Sequence, residues 1–279
     1  MLVRPECLVL VTGTGTDVGK TWVMASLTSA LRAGGATVAA RKPVLSFDPQ
    51  EAGGADGALT GGRAGSAGAV AGTTGAGRVG SVTTDAEVLA AATGEDPMEI
   101  CPVHRRYPLA MAPPIAATAL GRPAFTVADL VAELRWPSAP AVDYGLVEGV
   151  GGPCSPLAAD GDTVTLAKLL DPDQVVLVAG AGLGTLNAVL LSAAALAPTQ
   201  PVVLLNRFDE ADQVHVTNRD WLRRHTDLLV ATGIAALATS FRPAVPAARI
   251  ATELSRARPP ACGGRPASAG PPPAPDPWS

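Results

Sequence analysis

Two kinds of hydrophobic pattern alternate along this chain. Short, mostly apolar runs lie at 8–11, 37–40, 142–147, 174–179 and 201–206. Between them are longer segments in which apolar residues return every three or four positions. The runs predict strands, with a further edge strand at 228–230. The periodic segments predict helices over 22–31, 84–93, 115–120, 126–136, 163–170, 185–197, 212–225 and 247–256. Strands apolar throughout and alternating with helices make a parallel sheet covered on both faces, which is an α/β fold.

Local stop and start signals sharpen these boundaries. Gly34-Gly35 ends the first helix, Thr84 caps the second with Asp85 and Glu87 in its first turn, and Thr126 with Asp129 forms a capping box. Pro114 opens a short helix in an otherwise irregular, Pro-rich stretch that includes His104, Arg105, Arg106, Tyr107 and Met111. Residues 53–82 are Gly, Ala, Thr and Ser with few large apolar side chains. They predict a flexible insertion, because such a segment cannot offset its ordering entropy. The Pro/Gly/Ala-rich stretch 256–279 predicts a disordered tail, leaving a single domain over 1–255.

The chemistry begins at the first strand. Leu8-Val9-Leu10-Val11 runs into Thr12-Gly13-Thr14-Gly15-Thr16-Asp17-Val18-Gly19-Lys20-Thr21, and a helix follows at once. Strand, glycine-rich turn and Gly-Lys-Thr at a helix start are the layout of a phosphate-binding loop. Glycines let successive N–H groups point at phosphate oxygens, and the helix adds the positive end of its dipole. Lys20 neutralises the outer phosphates and the Thr21 hydroxyl suits a magnesium ion. Thr14 stands where the first glycine of the commonest spacing would be, with Gly13 one place earlier, so this is a long variant of the loop.

Two more strand ends carry candidate groups. Pro43 halts the second strand at Arg41-Lys42, which puts Lys42 at the carboxyl edge where open α/β sheets bind ligands. The strand at 142–147 delivers Glu148, followed by Gly149-Val150-Gly151-Gly152. A carboxylate there can bind a metal or a metal-bound water, and the glycines allow the backbone close to phosphates.

Composition narrows the class. Of 279 residues, 21 are Lys or Arg and 25 Asp or Glu, giving a formal charge of −4. With no basic tract, nucleic acid is not expected as a partner. Cys7, Cys101, Cys154 and Cys262 lack metal-ligand or redox spacing and fit free thiols in a reducing compartment. The apolar run at Leu8 is too short for a signal or a membrane span, so a soluble cytoplasmic protein without a membrane partner is expected.

Four separated motifs then carry a resemblance: 11–21, Arg41-Lys42-Pro43-Val44, Val147-Glu148-Gly149-Val150-Gly151-Gly152, and Leu183-Gly184-Thr185-Leu186-Asn187. In this order they resemble the dethiobiotin synthetase family, P-loop ligases of biotin biosynthesis, over about residues 8–237. The resemblance implies a P-loop NTPase-like sheet, ATP and Mg2+ as cofactors, and 7,8-diaminopelargonate and CO2 as substrates. It also implies a homodimer whose substrate site is completed across the interface. Position by position, Asp17, Val18, Gly19, Lys20, Thr21 and Trp22 would hold ATP, and Lys42 would be the catalytic lysine beside Lys20. Thr16 and Ser46 would contact substrate, and Thr21, Asp85 and Glu148 would bind the metal. Asp85, Glu148, Gly149, Val150 and Gly151 would lie beside the nucleotide, and Asn206 would read adenine. Where the family commonly has a glycine soon after its Lys-Pro-Val motif, this chain has Phe47-Asp48 after Ser46.

Other P-loop proteins would carry further marks. A regulatory ATPase of the partitioning or septum-placement kind would carry an extra lysine within 12–16 and a basic or amphipathic contact surface, neither of which is present. A corrinoid amidation enzyme would need a glutaminase domain for which no segment is long enough. A paralogous ligase acting on another amine shares the same motifs.

Overall fold

The computed structural model describes residues 4–49, 84–138 and 142–241. The expected insertion at 53–82, helix at 247–256 and tail at 256–279 lie outside the described residues, as does Cys262. In chain order the elements are β1 (Cys7–Gly13), α1 (Lys20–Ala33), β2 (Val38–Arg41), β3 (Leu45–Ser46), α2 (Asp85–Thr93) and α3 (Pro97–Ile100). Then come β4 (Arg106–Tyr107), α4 (Pro113–Ala119), α5 (Val127–Glu133), β5 (Tyr144–Glu148), β6 (Pro156–Ala158) and β7 (Gly161–Asp162). The last third holds α6 (Thr163–Leu170), β8 (Gln174–Gly180), α7 (Thr185–Ala195), β9 (Val202–Asn206), α8 (Gln213–His225), β10 (Val230–Ala231) and α9 (Ile234–Ser240).

Six strands form one sheet in the order β10-β9-β8-β1-β5-β2, with every pairing parallel. The pleat sends alternate residues to opposite faces, and both faces are apolar. Val9 and Val11 of β1 join Leu27 of α1, Leu89 of α2 and Leu237 of α9 in one core. Leu8 and Leu10 join Leu130 of α5, Leu166 of α6, Val189 of α7 and Leu222 of α8 in the other. Burial on both sides is why these strands read as continuous apolar runs. The fold is the α/β P-loop type.

The topology fixes where a ligand can sit. From β1 the chain crosses over β5 to β2, and after β5 it passes to β8 on the other side of β1. The sheet therefore changes direction beside β1, and the crevice beyond its carboxyl end is the place for a ligand.

Most elements fall where the hydrophobic pattern puts them, and the differences have local causes. The first helix starts at Lys20, two residues early, because the loop itself turns into it. The Pro-rich stretch is more ordered than expected. It holds a short parallel pair, Leu45 with Arg106 and Ser46 with Tyr107, and α4 begins at Pro113 with proline in its first turn. Two-residue strands leave no periodicity to read. The helix expected to run to residue 136 ends at Glu133, and α9 was not anticipated.

Cys7, Cys101 and Cys154 are free thiols, and burial pushes Cys7 and Cys101 up to about 11. Among the described residues no helix is long and apolar enough to cross a membrane. Leu146 lies fully buried at the centre of the sheet. Leu146→Ala should lower unfolding free energy by about 2–5 kcal/mol in urea titration, the usual range for a buried leucine. A loss under about 1 kcal/mol would show that this face of the sheet is loosely packed.

Candidate active site

The phosphate loop is shaped by steric exclusion. Asp17 and Gly19 both have left-handed backbones, with φ of 60° and 90°. A Cβ on Gly13 would lie 2.6 Å from Val18 Cγ2, and one on Gly19 would lie 2.3 Å from Asn206 Nδ2. The loop therefore folds back over its own lysine, whose Nζ donates to Gly15 O at 2.8 Å. No side chain caps the first turn of α1, so its N–H groups are free for an anion. Burial lowers the Lys20 ammonium from its ordinary value, with the charge of Glu148 opposing.

Sheet register assembles the rest. Val11 of β1 pairs with Glu148 of β5, and Val147 pairs with Arg41 of β2. The next residue after β2, Lys42, thus arrives beside Glu148 at the same edge as the loop. Its Nζ donates to Glu148 Oε1 and to Asp85 Oδ2, both at 2.6 Å. Asp85 is held there because Thr84 and Glu87 form a reciprocal capping box at the start of α2. The Thr21 hydroxyl donates to the same Glu148 Oε1 at 2.9 Å.

Charge follows from this enclosure. Lys42 is 4% exposed and Glu148 fully buried. Burial would discharge Lys42, but the charges of Glu148 and Asp85 outweigh it and push the ammonium up. For Asp85 burial is again the larger single effect and raises it, yet Lys42 and the Thr21 hydroxyl together hold its carboxyl below the usual range. Burial pushes Glu148 up, with Lys42 opposing. Its second oxygen, Oε2, is buried without a hydrogen-bond partner. That orphan needs a donor or a cation. Together with Asp85 and the Thr21 hydroxyl it forms an all-oxygen set that fits Mg2+. Among the described residues no group of three or more His, Cys, Asp or Glu could hold a metal. A magnesium here would draw further oxygens from water and phosphate, as is usual for that ion.

These groups face one open cavity of about 730 Å3. Its walls include Thr16, Asp17, Gly19, Lys20, Thr21 and Trp22 from the loop and α1, together with Lys42, Ser46, Asp85, Glu148, Val150 and Gly151. Three expected residues stand behind the wall. Val18 packs over Gly13, and Gly149 lies under Thr163, where a Cβ would come within 2.8 Å of Cγ2. Asn206 donates from Nδ2 to Val18 O at 2.9 Å, bracing the loop from the end of β9. Sequence reasoning missed Phe47, Met111 and Ser155, which also line the cavity. Gly151 has φ of 57°, and a Cβ there would sit 2.4 Å from Ser155 Oγ; the glycine run signals a tight turn but does not name Ser155.

The chain is similar to known proteins over most of the described residues. The family described as AAA domain matches residues 8–237. The ATP-dependent dethiobiotin synthetase BioD of Rhodococcus jostii is 39% identical over 194 residues, covering 68% of this chain and 67% of that protein. That of Caulobacter sp. strain K31 is 36% identical, covering 67% and 68%. The signal recognition particle receptor FtsY of Elizabethkingia anophelis gives a TM-score of 0.42 at 11% identity over 90% of this chain and 65% of its own, too slight a likeness to bear on function.

The lowered Asp85 carboxyl makes a testable link to stability. A group depressed in the folded state stabilises above its ordinary value, 3.8 for aspartate, and the contribution is lost as pH falls through the folded value. The stability gap between the wild type and Asp85→Asn, read from urea midpoints, should be widest near neutrality and close as pH falls below about 4. A gap independent of pH would contradict the Lys42–Asp85 pair.

Proposed function

Since this chain belongs to the dethiobiotin synthetase family, and is accordingly an ATP-dependent carbon–nitrogen ligase, we propose that it closes the ureido ring of dethiobiotin with the residues of this cavity. One amine of 7,8-diaminopelargonate adds to carbon dioxide and releases a proton, giving a carbamate. A carbamate oxygen attacks the γ-phosphorus of ATP and ADP leaves. The second amine attacks the carbonyl carbon and releases a proton, the ring closes and phosphate departs.

The observation that carries this reading is the convergence of Lys20, after β1, and Lys42, after β2 on the far side of β5, on a cavity large enough for both reactants. Phosphoryl transfer needs positioning and cationic stabilisation more than covalent chemistry. Lys42, pushed up by two carboxylates, keeps its proton at neutral pH. It therefore acts as a fixed positive charge toward carbamate and phosphoryl oxygens, and not as a base. Lys20, the first residue of α1, serves the phosphates of ATP, with Asp17 to Trp22 around them. Thr21, Asp85 and Glu148 would hold Mg2+, which neutralises phosphate charge when bound. Thr16 and Ser46 border the diamine. Gly149, Val150 and Gly151 flank the nucleotide, and Asn206, whose Nδ2 is spent on Val18 O, offers its Oδ1 to the amino group of adenine.

A homodimer completes the proposal. Its support is a run of exposed apolar side chains, Leu183, Leu190 and Leu191, in α7 and the turn leading into it, with Leu183 99% exposed.

The test is ADP release and dethiobiotin formation from the diamine, ATP, magnesium and bicarbonate. Lys42→Ala should lower kcat by about 10²–10³-fold while leaving ATP affinity within a few-fold. Lys20→Ala should lower both turnover and ATP affinity. No diamine-dependent ADP release by the wild type would refute the assignment. In sedimentation, Leu191→Asp should shift the protein toward monomer, and an unchanged mass would remove this face from the interface.

A further inference from the structure

β2 is the edge strand of the sheet and pairs with β5 on one side only. Its outward N–H groups lie at alternate positions from Val38, and the two nearest the site are those of Ala40 and, just past the strand, Lys42; an edge left open is a liability. Both are met by the segment that follows α2. Ala40 N–H donates to Glu95 Oε2 at 2.9 Å, and Lys42 N–H donates to Ile100 O at 2.8 Å. The other Glu95 oxygen accepts from Arg41 Nη1 at 2.7 Å.

This pair is enclosed and over-determined. Arg41 is 3% exposed in its side chain and Glu95 16%. The Arg41 guanidinium also donates to Arg135 O at 2.5 Å and lies 5.0 Å from the Trp136 ring centroid. Glu95 N–H donates to Thr93 Oγ1 at 3.2 Å, and Gly94 turns the end of α2 through a left-handed φ of 80°. The far end of α2 is thus clamped to the strand that delivers Lys42, while its near end presents Asp85 to the Lys42 ammonium.

We infer that Glu95, with Arg41, is a positioning residue for catalysis: its carboxylate fixes the end of β2 against the α2–α3 turn and so sets where the Lys42 ammonium stands. Glu95 does not itself line the cavity, and it acts through the Ala40 N–H and the Arg41 guanidinium. Small misplacement is costly for such a charge, since a shift near 1 Å can lower a rate by about 100-fold. The inference rests on the role given to Lys42 in the ligase reading.

The experiment compares Glu95→Leu, which removes the clamp, with Glu95→Gln, which keeps an acceptor for Ala40 N–H. With the diamine, Glu95→Leu should lower kcat by about 10- to 100-fold with ATP affinity unchanged, and Glu95→Gln should recover most of that loss. Unchanged kcat in Glu95→Leu, or kcat and ATP affinity falling together in both variants, would overturn the inference. A readout independent of substrate is the 15N-edited NMR signal of the Lys42 ammonium, assigned by its disappearance in Lys42→Met. Burial and two carboxylate partners should make it slow to exchange in the wild type. It should shift and broaden in Glu95→Leu, and shift less in Glu95→Gln, which conserves volume should the leucine variant not fold. An identical Lys42 signal in wild type and both variants, or none in the wild type, would overturn the positioning role. Failure of the wild type to turn over the diamine, with the NMR response present, would instead count against the ligase reading alone.

Discussion

A buried ammonium cannot stand alone, and the Lys42 ammonium is the charge around which this molecule is arranged. Out of water an unpaired lysine would give up its proton. Here Glu148 from the neighbouring strand and Asp85 from the first turn of α2 each approach it at 2.6 Å, and together they keep it charged. Removing Lys42 leaves two carboxylates facing each other without a cation, the kind of uncompensated charge that is most expensive to bury. Many details of the fold serve this contact. The register of β5 between β1 and β2 brings Glu148 alongside Lys42, the capping box at Thr84 aims Asp85, and the α2–α3 turn seals the outer edge of β2.

The electrostatic logic extends to the phosphate loop. Lys20 and Lys42 face Asp85 and Glu148, and Asp17 and Asp48 also line the cavity, so its carboxylates outnumber its ammonium groups. The attraction for a polyanion therefore comes from the two lysines and the uncapped N–H groups at the start of α1, not from net side-chain charge. The partnerless oxygen of Glu148 marks where the balance is incomplete. An arriving Mg2+ carrying phosphate oxygens would satisfy it and free cationic character for the transferring group. The enzyme's chemistry is thus written less in any one nucleophile than in how charges are stored before substrates arrive.

Much of this was legible in the chain itself. Continuous apolar runs announced strands buried on both faces, and alternating core membership within β1 is the structural counterpart. Lys42 and Glu148 were each visible as polar residues at the ends of apolar strands, Lys20 as part of Gly-Lys-Thr at a helix start, and Thr84 announced its own cap. Strand order was not legible, because nothing local to β2 says that it will lie beside β5. The contact between Glu95 and the Ala40 N–H was invisible for the same reason: it joins residues 55 positions apart through an edge that exists only once the sheet is built. The paired two-residue strands at Leu45 and Arg106, which set the wall carrying Ser46, are too short to leave a pattern. The glycines were half legible. Gly19 and Gly151 signalled tight turns, but the side chains they make room for, Asn206 and Ser155, are named only by the folded backbone.

The central claim is that both lysines act on the same transferring group. A crystal structure with a non-hydrolysable ATP analogue, Mg2+ and 7,8-diaminopelargonate measures this directly. Lys20 Nζ and Lys42 Nζ should stand within about 3.2 Å of oxygens on the γ-phosphate or of the carbamate. A γ-phosphate held by Lys20 with Lys42 turned out of the cavity, and the diamine bound elsewhere, would contradict it.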